Sequence, residues 1–101
     1  MRILLRVTLP HEPFNTFVKD GSASAKMKRI LDELKPEAAY FTEFTGFRTA
    51  VLIIQMDNTS QIPAIAEPWF LTFNANVEFH PVMLPDDLAK GGLDTIGKKW
   101  A

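Results

Sequence analysis

The spacing of apolar residues along the first 84 positions switches between an alternating and a helical period, and each switch marks an element. Arg2 to Leu9 alternates, with Ile3, Leu5, Val7 and Leu9 on one face and Arg2, Leu4, Arg6 and Thr8 on the other. That pattern predicts a strand with one wholly apolar side, ended by Pro10. Phe14, Phe17 and Val18 suit a helical turn or more before Asp20-Gly21, and the Gly-Ser-Ala-Ser that follows can break, kink or restart the helix. Met27, Ile30, Leu31 and Leu34 then repeat at i, i+3, i+4 and i+7, with Ser22 or Ser24 as N-cap. Pro36 stops this helix by restricting Lys35.

Ala38 to Phe44 and Phe47 to Met56 flank Thr45-Gly46, so a two-residue loop pairs Phe44 with Phe47, Glu43 with Arg48 and Tyr40 with Val51. Both faces of this hairpin are largely apolar, and Ala50 to Ile54 holds no polar residue, as in a central strand covered on two sides. Asp57-Asn58-Thr59-Ser60 can cap a helix over Ile62 to Phe73, whose apolar stripe includes Ile65, Trp69, Phe70 and Phe73. Pro68 should kink that helix or break it at Glu67. Val77 to Met83 is extended, and Pro81 marks it as an edge or distorts it.

The order is therefore βαββαβ over residues 1–84, an α+β sandwich whose antiparallel sheet runs 4-1-3-2 with its helices on one side. A second copy, the C-terminal tail or a ligand has to cover the other side. Residues 85–101 form a helical tail: a short helix over Pro85 to Lys90, a Gly91-Gly92 hinge, and a small stripe of Leu93, Ile96 and Trp100.

Composition narrows the function classes. Hydrophobic residues make up 47% and charged residues 23%, the balance of one folded domain, near the size where a partner subunit helps to hide apolar surface. A formal net charge of −1 argues against nucleic acid as a partner. The absence of cysteine removes disulfide scaffolds, thiolate metal sites and cysteine nucleophiles, and two histidines without metal-ligand spacing give no metal site and no cofactor. The N-terminal apolar run is interrupted at Arg6 and no stretch approaches a membrane span, so a cytoplasmic protein is expected.

The topology, the length and the apolar second face resemble the ferredoxin-like dimeric α/β-barrel superfamily, in which two subunits pack sheet on sheet. Leu34 to Glu43, Gln61 to Phe70 and Val77 to Met83 also look like stretches of a group of small bacterial proteins of unknown function. The resemblance implies the fold and a homodimer through the sheet face. It implies no mechanism, because the superfamily hosts isomerases, monooxygenases, haem-degrading enzymes and ligand-sensing domains, and no catalytic motif of these lies on this sequence.

Several side chains are candidates for chemistry. Arg6 and His80 lie on neighbouring strands, on the faces opposite the most apolar side, and Glu78 joins them. Such a group can anchor an anionic substrate, or let His80 act as general acid or base. The plain alternative is a polar cluster at a subunit interface. Tyr40 carries a lone phenol in an apolar strand and can present it to a ligand. Trp69 and Phe70 can wall a pocket for a small apolar or aromatic molecule, or simply fill the core. Glu43 and Arg48 read as a surface ion pair, and a kink at Pro68 can turn Glu67 inward. Two function classes follow. In one, a dimeric binding module holds its ligand by Tyr40, Trp69 and Phe70, with Arg6, Glu78 or His80 at a polar end. In the other, a cofactor-free isomerase-like or monooxygenase-like enzyme uses catalytic His80 and Arg6. A third possibility is an interaction protein whose sheet face is consumed by dimer packing.

Overall fold

The computed structural model describes all residues 1–101. Strand β1 (Arg2–Leu9) leads into helices α1 (His11–Asp20) and α2 (Ala23–Leu34), then the hairpin β2 (Ala38–Phe44) and β3 (Phe47–Gln55). A 3-10 turn at Thr59–Gln61 opens α3 (Ile62–Phe73), followed by β4 (Asn76–Pro81), α4 (Pro85–Lys90) and α5 (Leu93–Lys99). The four strands form one open antiparallel sheet in the order β2-β3-β1-β4. This α+β arrangement, with one helix layer, is compatible with a ferredoxin-like fold.

The first crossover divides where the sequence turns polar and small. Gly21 closes α1 at φ 83°, a left-handed conformation that costs glycine little, and Ser22 starts α2. Ser22 holds the N-cap position without a side-chain cap bond. Before α1 becomes regular, Glu12 has extended backbone, and its carboxylate accepts hydrogen bonds from the backbone N–H and hydroxyl of Thr16. Lys35 ends α2 at φ 47°, left-handed rather than extended, with Pro36 after it.

The hairpin has the register that the two-residue loop requires, with Phe44 opposite Phe47 and Tyr40 opposite Val51. Thr45 (φ 52°) and Gly46 (φ 82°) are both left-handed, as in a type I′ turn that matches the strand twist. Glu43 and Arg48 face each other across the strands, yet the expected ion pair does not form. The Glu43 carboxylate accepts from the Gly46 N–H at 2.9 Å, while Arg48 donates to Asn15 at 2.7 Å and stacks over Phe14. Fixed partners on each side outcompete a solvated pair that contributes about 0–1 kcal/mol.

At α3, the Asn58 side chain accepts from Ser60 N–H and the Gln61 side chain accepts from the backbone of Asp57 and Asn58, a reciprocal cap. Of the two outcomes expected at Pro68, a kink or a break at Glu67, the break does not occur: the helix runs on through Pro68, and Glu67 stays exposed. Burial outweighs the hydrogen bond that proline removes, because Ile65, Ala66, Trp69 and Phe73 all lie in the core. These side chains, with Ile30 of α2, cover Ile3, Leu5, Val7, Leu9, Leu52 and Ile54 of the sheet. Phe14 and Phe17 of α1 close the cluster against Phe73. No helix is long and apolar enough to cross a membrane.

Beyond Pro81 the chain departs from this body. Val82 still donates to the Arg2 carbonyl, but every residue from Met83 to Ala101 is exposed. The molecule measures 59 × 28 × 20 Å, with a radius of gyration of 17.1 Å. A compact chain of this length has about 13 Å.

Candidate functional site

The strand register fixes which side chains share the uncovered face. Pairing β2 with β3, β3 with β1 and β1 with β4 lines up Tyr40, Val51, Arg6 and Glu78 on one rung. The next rung holds Ala38, Ile53, Leu4 and His80. Alternation along each strand sends all eight side chains away from the helices. Arg6, Glu78, His80 and Tyr40, four of the residues singled out from the sequence, therefore occupy two adjacent rungs.

Glu78 sits between Arg6 and His80. Its Oε2 is 3.6 Å from Arg6 Nε, an ion pair too long to be a hydrogen bond, and its Oε1 is 3.2 Å from His80 Nε2. Arg6 Nε is itself buried without a hydrogen-bond partner. The guanidinium leans back across the sheet and lies 4.3 Å from the centre of the Phe44 ring. Thr49, between Phe44 and Arg6 in the register, is left only 1% exposed, and its hydroxyl donates to the Phe47 carbonyl. The cluster presents a guanidinium with an unsatisfied donor, a carboxylate that can orient an imidazole, and an apolar floor of Leu4, Val51 and Ile53. Tyr40, 65% exposed, stands at the rim.

Phe44 was not foreseen as part of this group. In sequence it is one phenylalanine of eight, and only the strand register, which sets Arg6 two rungs away on the same face, brings the guanidinium to its ring. The residue parity of the hairpin was the available signal, since Phe44 and Tyr40 share a face.

Trp69 and Phe70 are not brought to this cluster. Trp69 is fully buried in the core on the opposite side of the sheet, where its indole N–H has no partner, and Phe70 is exposed on the outer side of α3. Clefts on that helix side include two of note. One of about 650 Å³ runs between α2 and α3, with Lys26, Arg29, Glu33 and Glu67 among its walls. The other, about 530 Å³, is an apolar groove between α1, α2 and the edge strand β2, lined by Phe14, Val18, Met27, Leu31 and Phe41.

One further carboxylate borders the open face. Glu37, just before β2, accepts hydrogen bonds from the Gln55 amide and from Arg2 Nε, the latter at 3.0 Å. The Gln55 amide, and then Arg2, hold its carboxyl below the usual range. No group of three or more His, Asp or Glu residues is gathered to hold a metal ion. Comparison with models of known protein families gives no match, and comparison with curated proteins gives none either.

Proposed function

We propose that the chain acts as a homodimer whose two open sheet faces meet and enclose a small apolar or aromatic molecule. The observation that supports this reading is the uncovered face itself: half-buried Leu4, Val51 and Ile53 lie beside an arginine whose buried Nε makes no hydrogen bond, and no element of the chain lies over them. In this reading the partner's face roofs the apolar floor, and exclusion of water strengthens the polar end of the site. Arg6 holds an anionic or carbonyl oxygen of the ligand, Tyr40 contributes its phenol, and Glu78 keeps the His80 ring in place. Sedimentation at micromolar concentration together with native mass spectrometry of the purified protein tests it. A dimer carrying a bound small molecule that Arg6→Ala loses supports the reading. A stable monomer, or a dimer whose faces are filled by side chains alone, ends it.

The 3.2 Å contact between Glu78 and His80 favours a second reading, in which the site moves a proton. A carboxylate that fixes the tautomer of an imidazole is the usual support of a general acid or base. On this reading His80→Gln abolishes turnover of a ligand identified by the first experiment while leaving its affinity within about threefold. Equal loss of affinity and turnover would return His80 to a binding role.

A further inference from the structure

The geometry points to an exchanged arm: α4 and α5 of one copy reach around the partner's β2 edge and seat α5 in the groove between the partner's α1, α2 and β2. This rests on the dimer reading above and goes beyond it, because it gives the tail and that groove one shared purpose.

The arm covers nothing in its own subunit. Met83, Leu84, Leu88, Leu93, Ile96 and Trp100 remain 47% to 79% exposed. Scattered apolar residues on a surface need no explanation, but six gathered on one projecting segment, with Leu93, Ile96 and Trp100 at helical spacing along α5, form an apolar surface with nothing over it. At roughly 100 Å² each they offer most of the about 800 Å² that one partner contributes to a stable interface. The groove has matching character. Val18 and Phe41 on its rim are 52% and 56% exposed, and Phe14, Met27 and Leu31 form its floor. Its volume of about 530 Å³ suits Ile96 and the Trp100 indole together.

Connectivity sets which groove the arm meets. The arm leaves from β4, at one edge of the sheet, and the groove flanks β2, at the other edge. Within one subunit the full width of the sheet separates them. When two sheets pack face to face about a two-fold axis parallel to the strands, β4 of one copy lies against β2 of the other. The arm then needs to pass one edge strand and rise through two layers of about 10 Å each. Three extended residues, Val82 to Leu84, and the six of α4 span about 20 Å. Gly92, at φ 73°, then redirects the chain into α5.

The test uses two full-length chains with different affinity tags. One carries Thr95→Cys on α5 and the other Ser24→Cys in the groove, and no native cysteine interferes. The chains are unfolded, refolded as a mixture and treated with a bis-maleimide. A cross-linked species carrying both tags is expected, and Ile96→Ala with Trp100→Ala should raise the dimer dissociation constant about tenfold or more. A dimer by sedimentation without that cross-link, or with arm-to-arm links only, overturns the exchanged arm and leaves the sheet dimer standing. Cross-linking within one chain carrying both cysteines, at dilution where the copies separate, overturns it as well. A monomer at every concentration removes the dimer reading and the arm with it.

Discussion

Residues 51 to 54 of β3 place Val51 and Ile53 on one face of the sheet and Leu52 and Ile54 on the other, at the same depth along the same strand. Leu52 is fully buried and Ile54 2% exposed, beneath three helices, whereas Val51 and Ile53 are covered only in part. Composition does not separate the two faces here, since all four are large aliphatic residues. The difference lies in what the chain supplies as cover. On one face Trp69, Phe73 and Ile30 complete a dry core. On the other, cover consists of neighbouring side chains and the Phe44 ring leaning towards Arg6. A sequence that places aliphatic residues on both sides of a strand, while its helices protect one, leaves the second side for an intermolecular contact.

The sharpest way to break this comparison is to truncate adjacent residues. Leu52→Ala removes buried methyl groups and leaves a cavity under α3, so unfolding in denaturant should lose about 2–5 kcal/mol at any protein concentration. Val51→Ala removes fewer atoms from a half-buried position. Measured where the copies are separate, it should cost about 0.5–1.5 kcal/mol. Measured where they associate, it should cost more, because burial by the partner is then lost too. If Val51→Ala shows the same cost at micromolar and submicromolar protein, the open face makes no contact and the two faces differ only in exposure.

Much of this contrast was legible in the sequence because it depends on local rules. The strand parity of Ile3, Leu5, Val7 and Leu9, the Thr45-Gly46 turn and the Met27 to Leu34 stripe each follow from a short-range period, and the structure has each of them. The juxtaposition of Arg6, Glu78 and His80 was legible too, since strand order and parity alone put β1 and β4 side by side. Features set by competition over longer range were not. Pro68 was read by its local cost, while the burial of Ile65 and Trp69 on either side of it decided that the helix does not break. Arg48 was assigned to its cross-strand neighbour, while Asn15 and Phe14, more than thirty residues earlier in sequence, hold it instead. Trp69 and Phe70 were read as one wall, although successive helical positions point about 100° apart and only one of them faces the core.

A smaller effect sharpens the role of Phe44, the part of the open face that the hairpin supplies itself. Phe44→Leu keeps apolar cover over Thr49 but removes the ring beneath the Arg6 guanidinium, so stability should fall by about 0.5–1 kcal/mol. Double-mutant cycles with Arg6→Met should recover that amount as a coupling energy. Coupling near zero would mean that the ring acts only as a lid on Thr49.

The smallest expected effect concerns the charged margin of the same face. Glu37 accepts from the Gln55 amide and from Arg2, and its carboxyl is held below the usual 4.5. A carboxylate whose folded pKa is depressed binds fewer protons folded than unfolded in the acid range. Its contribution is therefore complete above the unfolded pKa, and it fades as pH falls through the lower folded value. The Glu37 and Arg2 side chains both reach solvent, so water screens the pair and the effect is slight. Glu37→Gln should therefore flatten, by a small amount, the decline in Tm between about pH 6 and about pH 3. The covered face offers an internal control, because Leu52→Ala should lower Tm by nearly the same amount across that range. An unchanged acid slope in Glu37→Gln would show that the Arg2 and Gln55 contacts do not persist in solution, and that the margin of the open face is as unconstrained as its centre is uncovered.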